Sequence, residues 1–281
     1  MKLAARRVCN NICPAAFIMK GHAMKRKNIL RSFLLLMFSA LFIISAYMIC
    51  EIISQAQQEQ ANFERLEETI KQPAAVSDPV QPQEPSETAV ISSPYAALKE
   101  QNPDFFGWIS IEDTKLNYPV MHTPDNPEHY LRRDFDGDTS QSGVPFLEAS
   151  CFEGCGNYLV YGHNMKNGAM FASLLSYADR EYWEQHPIIR FDTLSGSGEY
   201  EVLAAFYSQV YEQAASGVFR YYNYTDLSEP AVFEEYMKQV QASALYDTGI
   251  SAAYEDELLT LSTCSYHTKN GRFVVVARKR M

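Results

Sequence analysis

Three residues of this chain have the types and spacing for covalent chemistry: a cysteine that ends one strand, an arginine that opens the next, and a histidine that ends a third. Leu259-Thr-Leu-Ser-Thr-Cys264 alternates apolar and polar residues, as a half-buried strand does, and stops on the cysteine. The thiolate is the attacking form of a cysteine, and a free thiol titrates near ~8.5, so a partner must accept the proton or supply a cation. Arg272 stands eight residues further on, at the head of Arg272-Phe-Val-Val-Val-Ala277. The connection contains Asn270-Gly271, a tight-turn dipeptide, so a hairpin would set Cys264 and Arg272 opposite one another. A guanidinium does not give up its proton in proteins. Arg272 is therefore a fixed donor toward an oxyanion or a peptide carbonyl, and the base must come from elsewhere.

Asn157-Tyr-Leu-Val-Tyr-Gly-His163 supplies it: an apolar strand that runs into Gly162 and then His163. Glycine permits an unusual backbone angle or a close approach, either of which lets the imidazole turn into a cleft. His267, three residues after Cys264, is the competing base, on a connection where its position is less constrained. His122, His129 and His186 stand beside polar or proline-containing turns and read as surface residues. Each candidate has an ordinary structural explanation when taken alone, a buried Cys, a solvated Arg or a strand-end His; their combination points to nucleophilic catalysis. No Cys/His grouping has zinc spacing, and neither a metal nor a cofactor is expected.

Eight β-like runs separated by turn residues position these groups: 107–111, 117–121, 144–147, 157–161, 188–194, 199–210, 258–263 and 272–277. They are mostly short and spaced for a mainly β, closed barrel rather than a doubly wound sheet. Helical patterns cover 95–102, 170–184 and 229–244; the last has an apolar face of Val232, Phe233, Tyr236, Met237 and Val240.

The chain is long enough for one domain with appendages, and 47% apolar residues can fill a core. The first 31 residues hold eight Lys/Arg and no acid, whereas the remaining 250 hold 16 basic residues against 34 acidic. An acidic main domain argues against a polyanion partner, and no nucleic-acid signature is present. Phe33–Cys50 is an uncharged apolar run of 18 residues, enough to cross a bilayer core. It is too long for a typical signal-peptide core and lacks a clear small-x-small cleavage site. Lys25, Arg26, Lys27 and Arg31 precede it, which places the N-terminus in the cytoplasm. The expected organisation is therefore a basic cytoplasmic tail (1–31), a single-pass transmembrane anchor (32–53), a stalk with a Pro-rich linker (54–94) and an extracellular catalytic domain (95–281).

Residues 95–281 resemble the class B sortases of Gram-positive bacteria. The resemblance rests on LKEQNPDFFGWISI (98–111), NYPVM (117–121), EHYLRRDFDGD (128–138), GVPFLE (143–148), NYLVYGHNMKNGAMFASL (157–174), and TLSTC (260–264) followed by RFVVVA (272–277). It implies an eight-stranded barrel with N-terminal helices and a helix inserted before the last two strands. It also implies a cysteine transpeptidase that cleaves an LPxTG- or NPxTN-like C-terminal sorting signal of secreted proteins. The thioacyl enzyme would pass its cargo to an amine of peptidoglycan precursor or pilin. In that reading Cys264 is the nucleophile, His163 the acid/base and Arg272 the transition-state cation, with Ser262, Leu131 and the stretch around Phe219 along the substrate groove. Some class B members have an acidic residue two positions after the nucleophile; this chain has Tyr266, which favours Cys–His–Arg over Cys–His–Asp. Cys151 and Cys155 fall where relatives have polar residues, and are expected either as a small extracellular disulfide or as free thiols able to trap Cys264.

Two rival classes fit less well. A membrane-anchored cysteine peptidase acting only as a hydrolase would use the same three residues, with water as acceptor. A non-catalytic surface protein would carry a second apolar segment after a sorting signal, whereas here the sequence ends on Arg278-Lys-Arg-Met281 directly after a strand.

Overall fold

The computed structural model describes the backbone of residues 15–71 and 93–280, and the side chains of 29–71 and 93–280. Residues 1–14 of the basic tail and nearly all of the Pro-rich linker expected from the sequence lie outside the described residues.

One helix, α1, runs Ala15–Lys71. Its stretch from Ile29 is long and apolar enough to cross a membrane, and none of its most apolar window is buried within the chain. Phe33, Phe38, Phe42 and Ile43 are all exposed, as side chains meant for a lipid solvent would be.

Residues 61–281 form a separate compact unit. It begins earlier than the boundary expected at residue 95. The last turns of α1 repeat Phe63, Leu66 and Ile70 at helical spacing, and that stripe joins the hydrophobic core, with Leu66 only 1% exposed. Arg65 pairs with Asp136 at 2.7 Å on the solvent side of this contact.

After α2 (Ala96–Gln101), eight strands close a barrel. In chain order they are β1 (Phe105–Ser110), β2 (Asn117–Met121), β3 (Phe146–Leu147), β4 (Asn157–Gly162), β5 (Ile188–Thr193), β6 (Glu199–Gln209), β7 (Leu258–Cys264) and β8 (Gly271–Lys279). Around the barrel the order is β1-β2-β3-β4-β7-β8-β6-β5, and β5 pairs back onto β1. The pairs β2/β3 and β4/β7 are parallel and the other six antiparallel. The alternating sequence pattern locates all eight strands. β3 is shorter than expected because Pro145 has no amide hydrogen for a ladder; its carbonyl instead accepts from Met121 at 2.9 Å.

The helix expected over 170–184 is two pieces, a 3-10 helix Phe171–Ala178 and α3 (Arg180–Gln185). Asp179 divides them: its backbone is extended and its side chain caps α3 by accepting from the Glu181 amide at 3.0 Å. The inserted helix, α4 (Pro230–Ser243), buries Phe233, Tyr236, Met237 and Val240 against the barrel, while Val232 remains exposed.

Candidate active site

The parallel pairing of β4 with β7 brings two chemically loaded strand ends together. Gly162 is level with Thr263, so His163 and Cys264 leave the sheet side by side. On the other flank of β7, Cys264 lies directly opposite Arg272 in the hairpin with β8. All three line one cavity of about 360 Å³. A larger cavity, about 630 Å³, lies around Glu112, Asp113, His186 and Arg190, but it contains no cysteine.

The face of β7 that ends at Cys264 is a buried polar column. Thr260 Oγ1 donates to Asn157 Oδ1 at 2.8 Å and also meets the Tyr236 hydroxyl of α4 at 2.7 Å. Two residues on, Ser262 Oγ meets the Tyr221 hydroxyl at 2.7 Å. Cys264 follows at the same strand period, where the column opens into the cavity and the side chain becomes partly exposed. Burial, which disfavours the phenolate, pushes the Tyr221 hydroxyl up to about 12, so it remains a neutral hydroxyl beside Ser262.

His163 sits in a half-buried pocket. Its Nε2 lies 2.9 Å from the Leu131 carbonyl oxygen on the 3-10 helix His129–Arg132. Burial lowers its pKa, and nearby Arg132 acts in the same direction; the bond to the carbonyl opposes them without reversing the shift. The imidazole is therefore neutral at pH 7 and ready to accept a proton. Gly162 serves close approach. Its φ is not positive, and a Cβ there would lie 2.5 Å from the ring of Phe171. The side-chain amide of Asn164 donates to the Cys264 carbonyl at 3.0 Å, tying the His163 segment to the end of β7.

The proposed groove residues divide. Leu131 and Ser262 line the cavity. Phe219 does not: its ring packs among Phe206, Tyr224 and Tyr236, and it is Tyr221 and Tyr222 that reach the cavity. Tyr221 and Tyr222 belong to a 3-10 helix over Tyr221–Asn223, and no local sequence pattern announces it. Glu128, Glu148, Tyr161 and Val210 also line the cavity and have no separate signal in the sequence.

The remaining histidines are explained by local contacts. His267 is exposed, bonds Ser265 through Nδ1 at 2.9 Å, packs at a tilt against Tyr207 and does not line the cavity. His122 is not a surface residue: it is half-buried against Phe106, and its Nε2 is buried without a hydrogen-bond partner. His186 is half-buried too, stacked on Tyr182 at 4.2 Å, and His129 packs edge-on against Tyr130. Tyr266 is 79% exposed and supplies nothing to the His163 ring. Among the described residues no cluster of three or more metal-ligating side chains occurs.

Cys151 and Cys155 are buried free thiols. Both donate to the Asn157 carbonyl, at 3.6 and 3.4 Å. A hydrogen bond between the two thiols lowers the pKa of Cys155 and, with burial, raises that of Cys151. They cannot trap Cys264 within the molecule. Asn157 is level with Leu258, six residues before Cys264 along β7, which is roughly 20 Å at the rise of a strand.

A strand-end cysteine facing an arginine, with a neutral histidine in the same cavity of a closed eight-stranded barrel, is an arrangement chemically suited to cysteine acyl transfer. A family model described as the sortase domain matches residues 109–280. The chain belongs to the sortase family, cysteine transpeptidases that anchor surface proteins. It is 30% identical over 185 residues to sortase B of Listeria monocytogenes, across 63% of this chain and 70% of that one. To sortase B of Staphylococcus aureus it is 26% identical over 243 residues, 85% of this chain and 91% of that one. The solved substrate complex of the Staphylococcus aureus enzyme matches with a TM-score of 0.65 at 24% identity, covering 81% of this chain and 98% of that one, a likeness of fold.

Proposed function

We propose that Cys264, His163 and Arg272 carry the transpeptidation. The supporting observation is the register that sets Cys264 opposite Arg272 while His163 leaves the neighbouring strand into the same cavity. The neutral imidazole takes the thiol proton as Sγ attacks the scissile carbonyl of a sorting signal. The carbonyl oxygen becomes an oxyanion beside the Arg272 guanidinium. Collapse breaks the C–N bond, the imidazolium protonates the departing amine, and a thioester to Cys264 remains. An acceptor amine then attacks, its proton passes to His163, and the new amide leaves with the thiol restored. General acid–base work of this kind contributes roughly 10²–10⁴-fold. A donor aimed at the oxyanion adds roughly 10²–10³-fold.

The substrate is the LPxTG- or NPxTN-like segment of a secreted protein, and the acceptor is an amine of cell-wall precursor or pilin. Membership of the sortase family, whose members act on sorting-signal substrates and amine acceptors, supports this reading. Leu131, Ser262, Tyr221 and Tyr222 form the groove walls. The basic residues before the apolar part of α1 support a cytoplasmic N-terminus with the barrel outside the membrane, by the excess of positive charge on the cytoplasmic side.

The test is cleavage of a panel of fluorogenic sorting peptides by the detergent-solubilised full chain, with and without an added amine. Wild type gives cleavage and amine-dependent ligation, and Cys264→Ala, His163→Ala and Arg272→Ala each lose both. Cleavage that never diverts to an amine would make the chain a hydrolase instead. Activity in Arg272→Ala equal to wild type would remove the arginine from the mechanism.

A further inference from the structure

The His163 ring is held by a backbone oxygen, not by a carboxylate. A carbonyl only accepts hydrogen bonds, so the 2.9 Å contact with Leu131 requires a hydrogen on Nε2. A neutral imidazole has one ring proton, so Nδ1 then carries the free lone pair.

The position of that carbonyl depends in turn on a glycine. Gly143 has φ +61°, a left-handed angle that favours glycine. A Cβ added to it would lie 2.6 Å from the Leu131 oxygen and 2.5 Å from the Tyr130 oxygen, distances that no side chain tolerates. The returning chain is fixed there by two bonds: the Gly143 amide donates to Ser140 Oγ at 3.0 Å, and the Val144 amide donates to the Tyr130 carbonyl at 3.1 Å. The loop after the 3-10 helix thus lies directly behind the carbonyl that His163 uses.

We propose that the Leu131 carbonyl, seated by Gly143, is the positioning group of the active site: it locks His163 in the Nε2–H tautomer and makes Nδ1 the atom that exchanges protons with sulfur and amine. The inference rests on the reading of His163 as the acid/base. Through the cycle Nε2–H stays on Leu131. Nδ1 takes the thiol proton, gives it to the leaving amine, then takes one from the incoming amine and returns it to sulfur. The charged and titratable groups around the ring are Arg132 on the same 3-10 helix, Glu128 beside it, Cys264 on β7 and Arg272 on β8.

The tautomer is read directly by 15N NMR of the full chain in detergent with ring-labelled histidine, the His163 signals being assigned from a His163→Gln spectrum. Wild type shows a neutral imidazole with hydrogen on Nε2 and a bare Nδ1. Gly143→Ala mixes the tautomers, lowers kcat by about 10- to 100-fold as expected for a misplaced catalytic group, and leaves KM within about twofold. It also moves the His163 titration to lower pH, because the lost bond favours the cation. A wild-type His163 protonated on Nδ1 overturns the proposal, as does a folded Gly143→Ala with wild-type kcat. Should Gly143→Ala lose its cooperative melt, the wild-type spectrum decides alone. An active His163→Ala would defeat the acid/base reading instead, and the two failures are distinct.

Discussion

Gly162→Ala is the substitution that most directly couples packing to catalysis. The new Cβ would stand 2.5, 2.6 and 2.9 Å from three atoms of the Phe171 ring. That ring is fully buried and cannot swing into solvent, and the Phe171 amide donates to the His163 carbonyl at 2.9 Å. Relief must therefore move either the 3-10 helix that Phe171 begins or the strand end that carries His163. Overpacking of this kind costs about 1–3 kcal/mol. For a compact unit of this size, at about 2–4 °C per kcal/mol, the melting temperature of residues 61–281 falls by about 2–12 °C. A shift of the imidazole by about 1 Å costs up to about 10²-fold in kcat. The assay is a melting curve and steady-state ligation on the same preparation, with Phe171→Leu and the double substitution completing a cycle. The smaller side chain makes room, so the double variant recovers part of both losses, with a coupling of about 0.5–3 kcal/mol. A Gly162→Ala protein with wild-type melting temperature and kcat would refute the close-approach account of this glycine.

Other consequences follow from single contacts. Leu66→Ala removes a core side chain supplied by α1 and should destabilise the barrel by about 2–5 kcal/mol while leaving KM unchanged in the folded fraction, as chemical denaturation would show. Tyr221→Phe leaves the buried Ser262 hydroxyl without its partner, a cost of about 1–3 kcal/mol in the same assay; Tyr221→Phe with Ser262→Ala should be less than additive. His122, whose burial lowers its pKa, binds protons more readily unfolded than folded. Its contribution to stability is therefore full above about pH 6.5 and is lost as the pH falls below that value. In His122→Phe the slope of melting temperature against pH between 7 and 5 should flatten; an unchanged slope would assign the acid sensitivity to other groups.

The sequence makes the strands legible because period-two alternation and turn residues survive in short segments, and all eight runs coincide with strands to within a few residues at their ends. The three candidate residues stand out in the sequence for a related reason: Gly-His, Thr-Cys and Asn-Gly-Arg each mark a strand end, and the structure brings all three to one cavity. What bonds across the fold was not legible. Tyr221 meets Ser262 from 41 residues away, and Leu131 meets His163 from 32 residues away through a backbone atom that every residue type possesses. The stretch around Phe219 does border the cavity, but through Tyr221 and Tyr222 rather than through Phe219, which packs among other rings. The packing of the end of α1 within the compact unit is not legible because residues 54–71 look polar overall. The burial signal there is only the stripe of Phe63, Leu66 and Ile70.

The measurement closest to the central claim is mass spectrometry of the chain quenched during turnover of a sorting peptide. The account predicts an acyl adduct on the peptide containing Cys264, equal in mass to the N-terminal part of the substrate, that disappears with formation of the ligated product when an amine is added. Cleavage with no adduct on Cys264, or undiminished cleavage by Cys264→Ala, would contradict it.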